Sequence, residues 1–298
     1  MQPPAPAERR PTRRVRRALS AIVGLVALVF LVTPPVSAVA LPTPLQLVSN
    51  LDLECFKTSP YQPPAVGLTL RHLNPVLSGL RSEQVTLGQR DQLCVPVAKN
   101  GVIPPDGVLD FIRFVDLSCY RVTGPAANKP LVLSQLNPVL RDVPRKQITL
   151  NRPEQLCVPV AKNGVLPPAE VLRVVSHVDL LCYGATPNVP MNRALTLQQL
   201  NPVLVGKIPT ADVRVSYSRQ LCVPVYKGGD DIPADVLEIV RWIDLEKYDI
   251  TARAITPVDL ALRHLNPVLA RLPEERATLT AAVQLGVPVA KDGRIPPG

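Results

Sequence analysis

Past residue 40, apolar positions come in short bursts separated by turn residues, and the same bursts recur four times. The first set reads "LQLVSNLDLECF", "VLDFIRFVDLSCY", "VLRVVSHVDLLCY" and "VLEIVRWIDLEKY". Its Val, Ile, Phe and Trp content predicts a strand. The i, i+3, i+4 apolar spacing of the last copy also suits a helix, and strand is preferred. The second set, "LTL", "LVL", "LTL" and "LAL", alternates as a half-buried strand does. Each copy then meets Asn-Pro, a breaker dipeptide, so these strands are predicted to stop at Asn74, Asn137, Asn201 and Asn266 with the asparagine starting a turn. "QVTL", "QITL", "VRVS" and "ATL" predict a third strand, and "LCVPV" or its variant "LGVPV" a fourth. Pro96, Pro159, Pro224 and Pro288 lie inside that fourth strand, where a missing N–H predicts an edge position or a bulge. The strand runs into Asn100-Gly101, Asn163-Gly164, Gly228-Gly229 and Asp292-Gly293, dipeptides that tolerate positive φ at both centres of a type I′ turn.

The recurrence has a period. "LNPVL" begins at Leu73, Leu136, Leu200 and Leu265, at spacings of 63, 64 and 65. The repeats are placed at 45–105, 106–168, 169–233 and 234–298, and the end of the chain where a fifth would start suggests that four are the full set. The predicted architecture is all-β: four tandem small domains of about 63 residues, with α+β units as the alternative. Such a repeat is near the lower limit for a self-sufficient core and calls for a staple.

Cysteine placement supplies one. Cys55, Cys94, Cys119, Cys157, Cys182 and Cys222 fall two to a repeat in the first three copies, and Lys247 and Gly286 stand at the equivalent places in the fourth. Both cysteines vanish together, as expected if each repeat pairs its own two. Six cysteines allow 15 pairings. Pairing between neighbours, Cys94–Cys119 and Cys157–Cys182, strands Cys55 and Cys222, whereas pairing within repeats strands none. Each bridge closes a loop of roughly 40 residues, worth about 4 kcal/mol in the chain-entropy model. Reduction is therefore expected to weaken the first three repeats and spare the fourth.

The N-terminal stretch changes both compartment and charge. Six arginines between Arg9 and Arg17 precede the apolar run Ala18–Val32, then Pro34-Pro35 and Ala38-Val39-Ala40. This is the layout of a secretory signal peptide over residues 1–40. The 15-residue run is short of the roughly 20 that a membrane span needs; an uncleaved leader tethering the chain is the alternative. Export provides the oxidising setting that disulfides require, and no membrane span is expected once the leader is removed. The whole chain carries 33 basic and 24 acidic residues. Without the leader, 27 basic residues face 23 acidic ones, a net of +4 that, with only 4% aromatic residues, argues against nucleic-acid binding.

Candidate chemistry is sparse. No metalloprotease, nucleophile-elbow, P-loop or dinucleotide motif is present, and no cofactor or metal is expected. His72 and His264 share a repeat position that Gln135 and Gln199 fill elsewhere, so they are expected to be solvent-facing strand residues. His177 stands alone. Asp230 and Asp231 form an acidic loop rather than a cation site. Two charged positions recur in every repeat: Asp52, Asp116, Asp179 and Asp244 before the first cysteine position, and Lys99, Lys162, Lys227 and Lys291 before the turn. They could pair within each repeat or bind a ligand repeatedly. The preferred expectation is lysine stems snorkelling at strand ends and aspartates facing solvent or holding turns.

The pattern "DLxCY", a short alternating strand, a "VTL" strand and "LCVPVAKNG" resembles an uncharacterised repeat of exported bacterial proteins, over about residues 45–298. The resemblance implies a small, β-rich secreted domain and no activity; the fourth repeat departs from it at Lys247 and Gly286. The function expected is a non-catalytic exported array acting on an unknown protein or cell-envelope component, as an interaction module or spacer. A carbohydrate-binding array is the alternative, weakened because Phe56, Tyr120, Tyr183 and Tyr248 sit where they should pack beside cysteine. A secreted hydrolase is the second alternative.

Overall fold

The structure, a computed structural model, describes residues 40–298; residues 1–39, all but the last of the expected 1–40 leader, lie outside the described residues. The first repeat supplies α1 (Pro44–Ser49), β1 (Leu53–Tyr61), β2 (Gly67–His72), β3 (Glu83–Thr86) and β4 (Arg90–Lys99). The second supplies α2 (Asp106–Ile112), β5 (Leu117–Arg121), β6 (Lys129–Gln135) and β7 (Lys146–Lys162). The third supplies α3 (Ala169–Val175), β8 (Leu180–Thr186), β9 (Pro190–Gln199) and β10 (Ala211–Lys227). The fourth supplies α4 (Ala234–Val240), β11 (Leu245–His264) and β12 (Glu275–Lys291). The chain is mostly β, as expected, and its strands join one antiparallel sheet.

Each opening segment divides in two, which corrects the expectation of a continuous strand. Its first half is helical. In the second repeat Pro105 precedes the helix, and Val108, Phe111, Ile112 and Val115 bury one face at helical spacing. Thr43 and Gln46 form a reciprocal capping box at the start of α1. The strand begins only after the aspartate, at Leu53, Leu117, Leu180 and Leu245. Tertiary burial overrides β propensity here: α1 touches α2 and α4, α3 touches α2 and α4, and their apolar faces join one core with all six cysteines.

The repeats do not stand apart as stapled beads. Within each repeat the two cysteine-bearing strands pair: β1 with β4, β5 with β7, β8 with β10, and β11 with β12 in the fourth. Neighbouring repeats pair through β4–β5, β7–β8 and β10–β11. β12 then returns to β1, Gly286 opposite Leu53, and the eight-strand ring is closed. A closed ladder leaves no edge among these strands. The helix ring covers one end of the barrel.

A second set of pairings crosses the ring. The end of β2 pairs with β10, β6 with β12, β9 with β4 and β11 with β7, so each repeat's arm joins the repeat two places along. These arms cover the outer face of the barrel. Leu93, Val95 and Val97 pack against Leu195, Leu197, Leu260 and Leu262 in one outer core. Leu156, Val158 and Val223 pack against Leu68, Leu70, Leu131 and Leu133 in another. A 63-residue repeat that could not bury two faces alone buries them against three others.

The prolines of the fourth strand mark where its partner changes. β5 ends opposite Cys94, β9 begins opposite Val97, and Pro96 lies between. Pro159, Pro224 and Pro288 occupy the same fork. The expected edge or bulge is thus replaced by a gap between two partner strands, where no donor is called for. Each proline carbonyl still accepts a bond, as Pro96 does from the Leu200 N–H at 3.0 Å. Beyond, Asn100-Gly101, Asn163-Gly164 and Asp292-Gly293 take positive φ at both centres, whereas in the third repeat only Gly229 does.

Cys55–Cys94, Cys119–Cys157 and Cys182–Cys222 are disulfides, each joining directly opposed residues of paired strands. Because the fourth repeat's strands pair with all three others, the expected sparing of that repeat gives way to shared loss. Reduced protein should show a single cooperative transition, with β11 and β12 amides losing hydrogen-exchange protection together with β1, β7 and β10. Protection retained in β11 and β12 alone would contradict the closed ring.

Candidate functional site

The recurrent aspartates and lysines lie in the interior, which corrects the expectation of solvent-facing carboxylates and snorkelling amines. Lys99 contacts Asp52, Lys162 contacts Asp116, Lys227 contacts Asp179 and Lys291 contacts Asp244. All eight are buried. The aspartate precedes the first barrel strand and the lysine ends the last, so each pair joins the two strands of its own repeat. The asparagine of the next repeat around the ring completes the group. Asn137 Nδ2 donates to Asp52 at 2.6 Å, Asn201 to Asp116 at 2.7 Å, Asn266 to Asp179 at 2.8 Å and Asn74 to Asp244 at 2.8 Å. Each asparagine Oδ1 accepts from the N–H two residues on, as Asn137 does from Val139, so turn initiation and lateral bonding coexist. Burial drives every one of these lysines below its ordinary value and every aspartate above it, Asp244 to about 6.

The histidines are interior too. His72 Nε2 lies 2.9 Å from the Tyr183 hydroxyl, and burial together with the charge of Lys291 pushes the ring down to about 4. His264 meets Glu275 at 3.1 Å, and the Tyr120 hydroxyl donates to the same carboxylate at 2.5 Å. Gln135 reaches Tyr248 and Gln199 reaches Glu54 from the equivalent places. All four are arm residues touching the repeat two along, His264 through the Tyr120 hydroxyl at 3.3 Å, so the His/Gln position fastens the arms. Buried Arg90 closes one such cluster on Glu275 at 2.7 Å. His177 bonds Asp230 at 3.1 Å, which places Asp230 inside a structural network. Phe56, Tyr120, Tyr183 and Tyr248 are fully buried and offer no ring face to a sugar. Among the described residues no cluster of three or more His, Cys, Asp or Glu is arranged to hold a metal ion.

The barrel interior differs in the fourth repeat. From the helix end, the register stacks a leucine layer (Leu53, Leu117, Leu180, Leu245), then the cysteine layer, then a ring of Gln92, Gln155, Gln220 and Gln284. Neighbouring disulfides touch: Cys94 and Cys119 sulfurs are 3.8 Å apart, Cys157 and Cys182 sulfurs 3.7 Å. Lys247 and Gly286 complete the cysteine layer. A Cβ at Gly286 would lie 3.7 Å from Lys247 Cγ, in ordinary van der Waals contact with the lysine stem. The Lys247 Nζ rises into the glutamine ring, donating to Gln92 Oε1 at 2.7 Å and Gln155 Oε1 at 2.8 Å. The glutamines in turn donate outward: Gln155 to Asp91 at 2.8 Å, Gln220 to Glu154 at 2.5 Å, and Gln284 to Asp249 at 3.2 Å. Burial pushes Lys247 down to about 7 against the pull of Asp91 and Glu154.

Above Gln155 and Gln220 lies an open depression of about 450 Å³, rimmed by Asp91, Glu154, Arg121 and Arg152. It gathers exposed charge of both signs at the barrel mouth, away from the helices. Of its parts, the repeat position of Asp91 and Glu154 varies among copies, and Lys247 stands in the repeat pattern as the replacement of a cysteine. The sequence signal was a long cation opposite a glycine where three other copies place two thiols.

No known protein family, curated protein or solved structure is matched by the chain. Among the described residues no helix is long and apolar enough to cross a membrane. The three disulfides fit an oxidising, extracytoplasmic compartment.

The lysine yields a pH prediction. In the unfolded chain Lys247 keeps its ordinary value near 10.5, whereas in the fold it is near 7. The unfolded state therefore holds the extra proton between those values, and folding gains stability as pH rises through that window. The gain is at most about 1.4 kcal/mol per pH unit. Denaturant titrations at pH 7 and pH 9 should show wild type gaining relative to Lys247→Met. Equal changes in both proteins would show that the amine keeps its proton when folded.

Proposed function

We propose that the chain is an exported, non-catalytic interaction protein whose barrel mouth docks a protein partner in the cell envelope or outside the cell. One observation carries this reading: solvent-facing charge of both signs gathers at the mouth, where Asp91, Glu154, Arg121 and Arg152 rim a wide depression. The recurrent aspartates, lysines and histidines are committed to internal contacts. A broad, shallow site of mixed charge suits the polar surface of a protein better than a small substrate, which binds in a deeper and more apolar pocket. The disulfides and the basic, apolar N-terminal stretch support export. The resemblance to exported bacterial repeats is consistent with it. The four repeats share one closed ring of strands, so the site is single and composite, drawn from the first three repeats.

Photo-crosslinking in intact cells tests the reading. A crosslinker at Arg152, on the rim, should capture one discrete envelope or extracellular protein, and one at Arg276, on a fourth-repeat arm, should not. Equal capture at both positions would overturn the docking site. Turnover of a hydrolase substrate by the purified chain, abolished in Lys247→Met, would overturn the non-catalytic assignment.

A further inference from the structure

The four interior Asp–Lys contacts carry a feature that an ion pair does not explain. A buried ammonium has three N–H donors to satisfy, and a buried carboxylate needs partners on both oxygens. In all four repeats the lysine Nζ contacts the aspartate yet makes no hydrogen bond, and the aspartate Oδ1 makes none either. The other carboxylate oxygen, Oδ2, is held each time by the asparagine. The amine touches Asp52 Oδ1 in the first repeat and the asparagine-held Oδ2 in the other three, so an unbonded Nζ and an unbonded Oδ1 recur on one carboxylate–amine contact at four buried places. A charged pair left this way keeps most of its desolvation cost.

We propose that these four pairs are sites of intramolecular amide formation, each lysine Nζ condensing with the Cγ carboxyl of the aspartate it touches. For Lys99 and Asp52, the neutral amine attacks Cγ of the protonated carboxyl. The Nζ–Cγ bond forms and the Cγ–Oδ1 bond breaks. Oδ1 leaves as water, taking its own proton and one from Nζ. Oδ2 remains as the amide carbonyl, already accepting from Asn137 Nδ2, which steadies negative charge on that oxygen as the tetrahedral intermediate forms. No oxidant, reductant or cofactor enters the balance. Burial favours the neutral amine and neutral acid that the step consumes. The product replaces two buried ionisable groups by one uncharged amide.

The placement is that of a staple. Each bond would link the residue before a repeat's first barrel strand to the last residue of its final strand. In the fourth repeat, Asp244 and Lys291 would tie β11 to β12, the pair of strands that lacks a disulfide.

Mass spectrometry of the purified full chain decides it. After reduction and alkylation, the mass should fall short of the sequence mass by one water for each bond, four in all. Tryptic digests should contain branched peptides joining Lys99 to Asp52, Lys162 to Asp116, Lys227 to Asp179 and Lys291 to Asp244, uncut after those lysines. Lys291→Arg should lower the deficit by one water while the other three links persist. A chain at full sequence mass, with the four lysines cut by trypsin, overturns the proposal. So does a water deficit that maps to cyclised aspartates without branched peptides. The wild-type measurement stands even if a variant fails to fold.

Discussion

The antiparallel ladder between β12 and β1 is the constraint on which the rest of the molecule depends. Without it, four repeats would form an open sheet with exposed edges, and each cysteine layer would face water on one side. With it, Gly286 meets Leu53 and the eight barrel strands enclose an interior. That interior needs a lid and a filling. The short helices provide the lid, and leucine, cysteine and glutamine layers provide the filling. The crossing arms follow from the same closure, because the outer face of a barrel this small still needs cover. No repeat can supply that cover for itself, since its arm leads away from its own final strand and lands two repeats further on.

Interior charge is the cost of this arrangement, and the repeats meet it in a regular way. The Asp–Lys contact closes one end of each strand pair, and an asparagine from the next repeat bonds the carboxylate. The His/Gln position fastens each arm through a phenol or carboxylate two repeats along. Pairs of this kind contribute little net stability over an apolar replacement, but removing one partner is severe. Their effect is on register. A strand slipped by one residue would move lysine or aspartate away from its partner and bury an isolated charge, so closing the ring in the wrong frame is strongly disfavoured.

How much of this was legible depended on how local each feature is. Turn dipeptides and Asn-Pro stops were readable because backbone demands at Asn100-Gly101 or Asn137 are set by adjacent residues. Cysteine pairing was readable because its loss at Lys247 and Gly286 is joint. The helices were legible in period but not in composition: Val108, Phe111, Ile112 and Val115 recur at helical spacing, whereas their β-branched and aromatic side chains favour a strand. The barrel itself could not be read from a repeat: nothing in "LTLRHLNP" says that Leu70 to His72 will pair with Val225 to Lys227. Lys99 and its equivalents suit the surface on local grounds because lysine is rarely interior without a partner, and the partner stands 46 to 48 residues earlier in the chain.

The fourth repeat shows that one interior position admits two chemistries. A disulfide fills the cysteine layer with two sulfurs and leaves the axis apolar. Lys247 with Gly286 fills the same place with one long side chain and carries an amine upward into the glutamine ring. The exchange is possible only because that ring offers carboxamide oxygens at 2.7 and 2.8 Å. Carboxylates lie one bond further out, on the glutamine amides. The amine thus sits among dipoles rather than charges, and burial lowers its pKa further than the field of Asp91 and Glu154 at the rim raises it. Anything that docks at the mouth and neutralises those carboxylates would remove the attraction that favours the protonated amine.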